Sequence, residues 1–227
     1  MKIYWLYGGI LLMVGILLNW GGAAAGTVVN LPAPSLKGRM SVEEALQTRR
    51  TIRRFGHRAL SLAQLSQLLW AADGVTDPKR GYRSAPSAGA LYPLDLYVAV
   101  GERSVADLPP GVYHYLPDQQ GLELITPDDI RKELAKAALY QSWMAEAPIM
   151  MVITGAYARC TRKYGERGVL YTHIEVGHVG QNLFLQAEAL GLGAGIVGAF
   201  ENQEVSQIMN LPTAQEPFLI MPIGYKH

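Results

Sequence analysis

Apolar and polar positions follow two rhythms along this chain, one with helical spacing and one that alternates. Ser41-Val42-Glu43-Glu44 has the form of a capping box and predicts a short helix ending near Thr48. Ser61 with Gln64 predicts a second helix, in which Leu62, Leu65, Leu68 and Leu69 share a face before Gly74 stops it. Leu94 to Val100 predicts a strand, and Val112 to Leu116 with Leu122 to Ile125 predicts a hairpin across Pro117–Gly121. Pro127-Asp128-Asp129 opens a helix to about Leu139, and Pro148 opens an apolar strand from Ile149 to Thr154. An arginine-rich loop is expected from Arg159 to Arg167, then a long helix from about Val169 to Leu190. Two strands, Ala194 to Phe200 and Phe218 to Ile223, enclose a last helix near Gln203 to Met209. Hairpin-like and helical stretches alternate irregularly, which argues α+β with a mixed sheet.

Two segments stand out. Gly74 to Tyr92 reads as a long loop rich in Gly, Pro and Ser, the kind of connection that usually carries function. The long helix is apolar over most of its circumference and is expected to be buried nearly all round. Its one polar stripe holds Glu175, His178, Asn182 and Gln186. That stripe faces a subunit partner or a cofactor edge, or else Glu175 and His178 simply satisfy each other at i, i+3 spacing.

Composition narrows the class. The chain has 227 residues, 49% hydrophobic and 17% charged, which is globular rather than disordered. Net charge is +1, so nothing global favours nucleic acid. The single cysteine, Cys160, excludes an intrachain disulfide framework and any multi-cysteine metal site. Residues 1–25 begin with Lys2, run apolar from Ile3 to Leu18 and close on Ala23-Ala24-Ala25. They read as an export signal or a membrane anchor, which would set the domain to work in the periplasm or outside the cell. Residues 26–40, with Pro32 and Pro34, read as a linker, and 41–227 as the domain.

Candidate chemistry is concentrated in three places. Arg49, Arg50, Arg53, Arg54 and Arg58, with Thr51 and Ile52 among them, crowd five guanidiniums into ten residues. Guanidinium forks beside a threonine hydroxyl match phosphate, and the alternative is a solvated basic turn. Ser84 to Pro93 sets small residues around Pro86, which lets backbone approach a flat ligand. Gly193, Gly195 and Gly198 spell a G-x-G-x-x-G, but they follow a helix and enter a strand, the reverse of a dinucleotide fingerprint. Glycines in an apolar strand mark instead a backbone lying against a ligand face. His173 and His178 point to different helix faces, so no metal site is expected, and the chain has no G-x-S-x-G elbow.

Four stretches, RRTIRRF, SAPSAGALYPLDLYV, YGERGVLYTHIEVGHVGQNLFLQAEALGLGAGIVGAF and MPIGY, occur in an order that resembles the nitroreductase superfamily of flavoproteins. The resemblance is strongest to its SagB-type (ThcOx-like) dehydrogenase branch and spans about Ser41 to Tyr225. It implies a three-layer sandwich, a mixed and mostly antiparallel sheet flanked by helices, and a homodimer with shared flavin sites. It assigns Arg49, Arg50, Thr51 and Arg53 to the phosphate end of FMN, and Pro86, Ser87, Ala88 and Gly89 to the opposite wall, given by the other subunit. Gln141 would sit near the flavin edge, with Ile196, Val197, Gly198 and Ala199 beneath the ring. The implied activity is ping-pong transfer of hydride from a donor such as NAD(P)H to a small organic acceptor. Azoline-oxidising relatives use an adjacent Lys–Tyr pair for proton transfer, which Lys163-Tyr164 matches, the alternative being an exposed basic loop. A non-catalytic flavin-binding role is the remaining alternative. The basic residue that relatives place after the MPIGY-like segment is left unassigned, since only Lys226-His227 follow.

Overall fold

The computed structural model describes residues 26–227, so the export-signal reading of 1–25 lies outside the described residues. Among these, no helix is long and apolar enough to cross a membrane. Strands β1 (Val28–Asn30), β2 (Val75–Asp77), β3 (Tyr82–Arg83), β4 (Leu94–Val100), β5 (Gly111–Leu116), β6 (Gly121–Thr126), β7 (Ile149–Gly155), β8 (Leu192–Ala194) and β9 (Glu216–Tyr225) are joined by six helices. These are α1 (Val42–Thr48), α2 (Leu62–Asp73), α3 (Arg131–Ala137), α4 (Ala158–Tyr164), α5 (Arg167–Ala189) and α6 (Asn202–Ile208).

Seven strands form one sheet in the order β1-β6-β5-β4-β7-β9-β8, and β2 and β3 pair separately. Every strand pairing is antiparallel. Parallel contact is confined to single bridges such as Thr51 with Ala194. Alternation along β4 explains the layering. Leu94, Leu96, Val98 and Val100 join a core with α2 and α5, whereas Tyr97 and Ala99 join one with α3 and α6. The sheet is therefore the middle of three layers, and β7 between its neighbours is buried at every position.

Local chemistry sets the boundaries. Ser61 Oγ accepts from Gln64 N–H and Gln64 Oε1 accepts from Ser61 N–H, so the α2 capping box closes fully. Ser41 accepts from Glu44 N–H at 3.1 Å, giving α1 the same cap from one side.

Five expectations are corrected. Residues 26–40 are not a free linker: β1 pairs with β6, and Ser35 N–H donates to the buried Gln67 at 2.7 Å. The open edge of β6 takes up a strand because its backbone groups need partners. Gly74 to Tyr92 is not one loop, since β2 and β3 form a small hairpin and Ala88–Ala90 makes a 3₁₀ turn. Arg159 to Arg167 is not a loop either. α4 runs through its first part, burying Cys160 while its cations face outward, with Arg159 reaching Asp95 at 2.7 Å. β8 stops at Ala194 rather than running to Phe200, because beyond it the chain hydrogen-bonds to β9 only through Gly195 N–H to Pro222 O at 2.8 Å and a Val197–Ile220 bridge. α5, finally, is not buried all round: Val169, Leu170 and Ile174 are exposed.

Candidate functional site

α5 organises two groups of candidate residues. The first is the arginine segment. After α1 the chain turns extended and is stitched to the sheet, with Ile52 N–H donating to Ala194 O at 2.8 Å and Gly56 N–H to Tyr225 O at 2.9 Å. This fixes the backbone while the arginines spread over its outer side. Arg49 lies over the Phe184 ring at 5.1 Å, Arg53 over Trp143 at 5.7 Å and Arg58 over Tyr225 at 4.3 Å. Arg50 Nη1 donates to the carbonyls of Gln47 and Arg49, closing the end of α1. Among the described residues, none of Arg49, Arg50, Arg53, Arg54 and Arg58 is ion-paired. Five guanidiniums without a carboxylate partner, four of them held by rings or carbonyls, fit an anionic ligand such as the phosphate of FMN.

Beside this segment runs the glycine-rich stretch. A Cβ at Gly193 would lie 2.7 Å from Ile52, and one at Gly195 2.8 Å from Trp143. Those two glycines serve packing of the protein on itself, which corrects the expectation of a ligand face there. Ile196, Gly198 and Ala199 are exposed, with Val197 buried beneath them. Gln141 Nε2 donates to Ala138 O at 3.0 Å and to Ala199 O at 3.4 Å, so the structure brings Gln141 to this stretch. Lys226 is bound to the buried Glu188 at 2.7 Å and is thereby held away from the arginines' task.

The second group surrounds Pro86–Gly89. Gly89 has φ +62°, a left-handed conformation. A Cβ there would lie 2.5 Å from the Tyr164 hydroxyl and 2.9 Å from the Lys163 ammonium. Both side chains of the pair thus converge on the loop backbone, and Tyr164 also meets Tyr171 edge-on at 5.2 Å. The pair ends a helix, contrary to the basic-loop alternative. Ser87 Oγ accepts from Tyr92 N–H at 2.9 Å. His178 Nδ1–H donates to Pro86 O at 3.1 Å. His178 therefore does not satisfy Glu175, as one reading of the stripe expected. Burial pushes the Glu175 carboxyl up to about 7. Between Glu175 in this group and Phe184 in the first, α5 advances about 14 Å. One chain therefore holds the two groups apart, at separate points along one helix.

The sequence matches the nitroreductase family over residues 46–225. A Methanocaldococcus jannaschii protein named as a nitroreductase is 43% identical over 201 residues, covering 88% of this chain and 98% of its own. The chain belongs to the nitroreductase family. Its fold agrees: the crystal structure of a protein named as a nitroreductase from Ralstonia eutropha superposes with a TM-score of 0.77 at 30% identity, covering 88% of this chain and 90% of that one. The microcin B17-processing protein McbC of Escherichia coli is 28% identical over 67% of this chain and 57% of its own length. That similarity agrees with the SagB-type branch of the family; the fold is α+β, and membership of the nitroreductase family supports an oxidoreductase.

Two features of the candidate site were not visible in sequence. Phe184 and Trp143 as platforms for Arg49 and Arg53 carry no local signal, since each lies far along the chain from the arginine it meets. The unpaired state of Glu175 was signalled only by its place in the polar stripe of an otherwise apolar helix.

Proposed function

We propose that this chain is an FMN-dependent oxidoreductase built as a homodimer, each flavin held between the arginine segment of one copy and the Pro86–Gly89 loop of the other. The observation that carries this reading is the set of unpaired guanidiniums beside the exposed Ile196, Gly198 and Ala199. The dimer is supported by exposed apolar residues on two packed helices, Val42 and Leu46 on α1 and Val169, Leu170 and Ile174 on α5. It is supported also by the separation of the two groups along α5, which a second copy would bridge.

Bound there, FMN supplies two-electron chemistry, accepting hydride from a donor such as NAD(P)H and passing it to a small organic acceptor in a second half-reaction. The protein's part is binding and orientation. Arg49, Arg50 and Arg53 with Thr51 would hold the phosphate, and the small Gly198 and Ala199 in the 196–199 stretch would let the ring lie close to backbone. Gln141, tied to Ala199 O, would fix that edge.

A second reading, dehydrogenation of a peptide azoline, is favoured by the convergence of Tyr164 Oη and Lys163 Nζ over Gly89. In it those two atoms move the proton that accompanies hydride loss. The similarity to McbC supports the same reading.

Purified protein tests the proposal directly. It should carry flavin absorbance, bleached by dithionite and reconstituted by FMN. Arg50→Ala should weaken FMN binding roughly ten- to a hundredfold, the loss of a charge-assisted phosphate contact. Unaltered FMN affinity would overturn the phosphate assignment. Full retention of turnover in Lys163→Ala and Tyr164→Phe would remove the azoline reading.

A further inference from the structure

α5 holds a carboxyl that no other part of the fold satisfies. Glu175 is 1% exposed, and among the described residues neither of its oxygens has a hydrogen-bond partner. Leaving a buried acid unpaired opposes folding, so its position calls for a role. It lines a cleft of about 280 Å³ together with Pro86, Ser87, Ala88, Ile174 and His178. The groups facing it come from four elements. Asp73 of α2 opposes its charge and Arg83 of β3 favours it. Cys160 of α4 is near enough to have its thiol pushed up by it, and the Ser87 hydroxyl is the one neutral donor that favours the carboxylate. His178, one turn on, is committed to Pro86 O. Asp73 is itself bound to Arg83 at 2.6 Å.

Ser87 lines the same cleft as this carboxyl and belongs to the Pro86–Gly89 loop. Its Oγ already accepts the Tyr92 N–H, so its own proton can be given in only one direction at a time. We propose that Glu175 is a positioning residue which decides, through Ser87, whether the Pro86–Gly89 loop offers a hydrogen-bond donor to bound FMN. With its proton on, Glu175 donates to Ser87 Oγ and the Ser87 proton points outward. Ionised, Glu175 draws that proton inward and the donor is withdrawn. Burial keeps the carboxyl protonated to about pH 7, which puts the exchange near neutrality. FMN therefore binds more weakly as Glu175 ionises.

This inference rests on the FMN reading, and its test separates the two. FMN affinity of the apoprotein is measured by fluorescence quenching at pH 6 and pH 8 for the wild type, Glu175→Gln and Ser87→Ala. FMN's own phosphate also ionises in this range and affects all three alike, so the comparison between proteins is decisive. Glu175→Gln keeps the shape and stays neutral. The two proteins should bind equally at pH 6, and the wild type about three- to tenfold more weakly at pH 8, one hydrogen bond's worth. In Ser87→Ala the additional weakening at pH 8 should vanish, because the carboxyl no longer reaches the ligand. Asp73→Asn should keep the wild-type dependence with its midpoint moved to lower pH. The same pH course in wild type and Glu175→Gln overturns the inference and leaves the FMN reading intact. No FMN binding by the wild type at either pH overturns both.

Discussion

Gly89→Ala examines the second residue group at its tightest point. Glycine holds φ +62° there, and an alanine in the left-handed region costs about 1–2 kcal/mol. The added methyl would also meet the Tyr164 hydroxyl at 2.5 Å and the Lys163 ammonium at 2.9 Å. Both are the free ends of long side chains, so the fold survives by swinging them away and the conformational cost is the whole stability effect. For a domain of this size that lowers Tm by about 2–8 °C. Gly81→Ala is the matched control, with φ +69° and nothing within 4 Å of the new Cβ. Thermal unfolding should show similar losses in the two variants. Turnover per bound flavin should fall in Gly89→Ala alone. Equal turnover per bound flavin in the two variants, with a clear Tm loss in each, would refute a role in turnover for the Lys163–Tyr164 pair over Gly89. An unchanged Tm in Gly89→Ala would refute the left-handed backbone.

Three further outcomes follow from the structure. Glu175 ionises near 4.5 when unfolded and near 7 when folded, so between those values the fold retains a proton the unfolded chain has lost. Apoprotein stability attributable to it is full below pH 4.5 and declines as pH rises to about 7, by up to roughly 3 kcal/mol. Glu175→Gln should accordingly melt above the wild type at pH 8 and with it at pH 4.5, and equal melting at pH 8 would count against a buried, unpaired carboxyl. Leu170→Asp, at an exposed apolar site of α5, should turn a dimer into a monomer in sedimentation velocity; a variant sedimenting as the wild type does would move the interface elsewhere. Lys226→Ala should lower stability by about 1–3 kcal/mol in chemical denaturation by stranding the buried Glu188, and should leave FMN affinity within about twofold.

Much of the fold was legible because its signals are local. β4 begins and ends where the alternation of Leu94 to Val100 says it should, and α2 lies between Ser61 and Gly74 because a capping box and a glycine fix both ends. The errors fell where partners distant in sequence decide. Val28–Asn30 becomes a strand only because β6 presents an open edge 91 to 95 residues further on. β8 ends at Ala194, and the tight packing of Gly193 on Ile52 and of Gly195 on Trp143, which no local pattern announces, marks where the chain turns away. α4 carries three basic residues and reads as loop, yet burial of Cys160 and the reach of Arg159 to Asp95 make it a helix.

The candidate site divides the same way. Composition and spacing alone fixed which residue types could meet an anion and a flat ring, since five arginines in ten positions and small residues around Pro86 are properties of the chain itself. Tertiary structure decided that the arginines stay free of carboxylates, that Lys163 and Tyr164 arrive over Gly89, and that His178 turns to Pro86 and leaves Glu175 alone. Each of these depends on which side chains are within about 3 Å after the helices have packed. Helical spacing tells which residues share a face, and only the packed layers tell what that face meets.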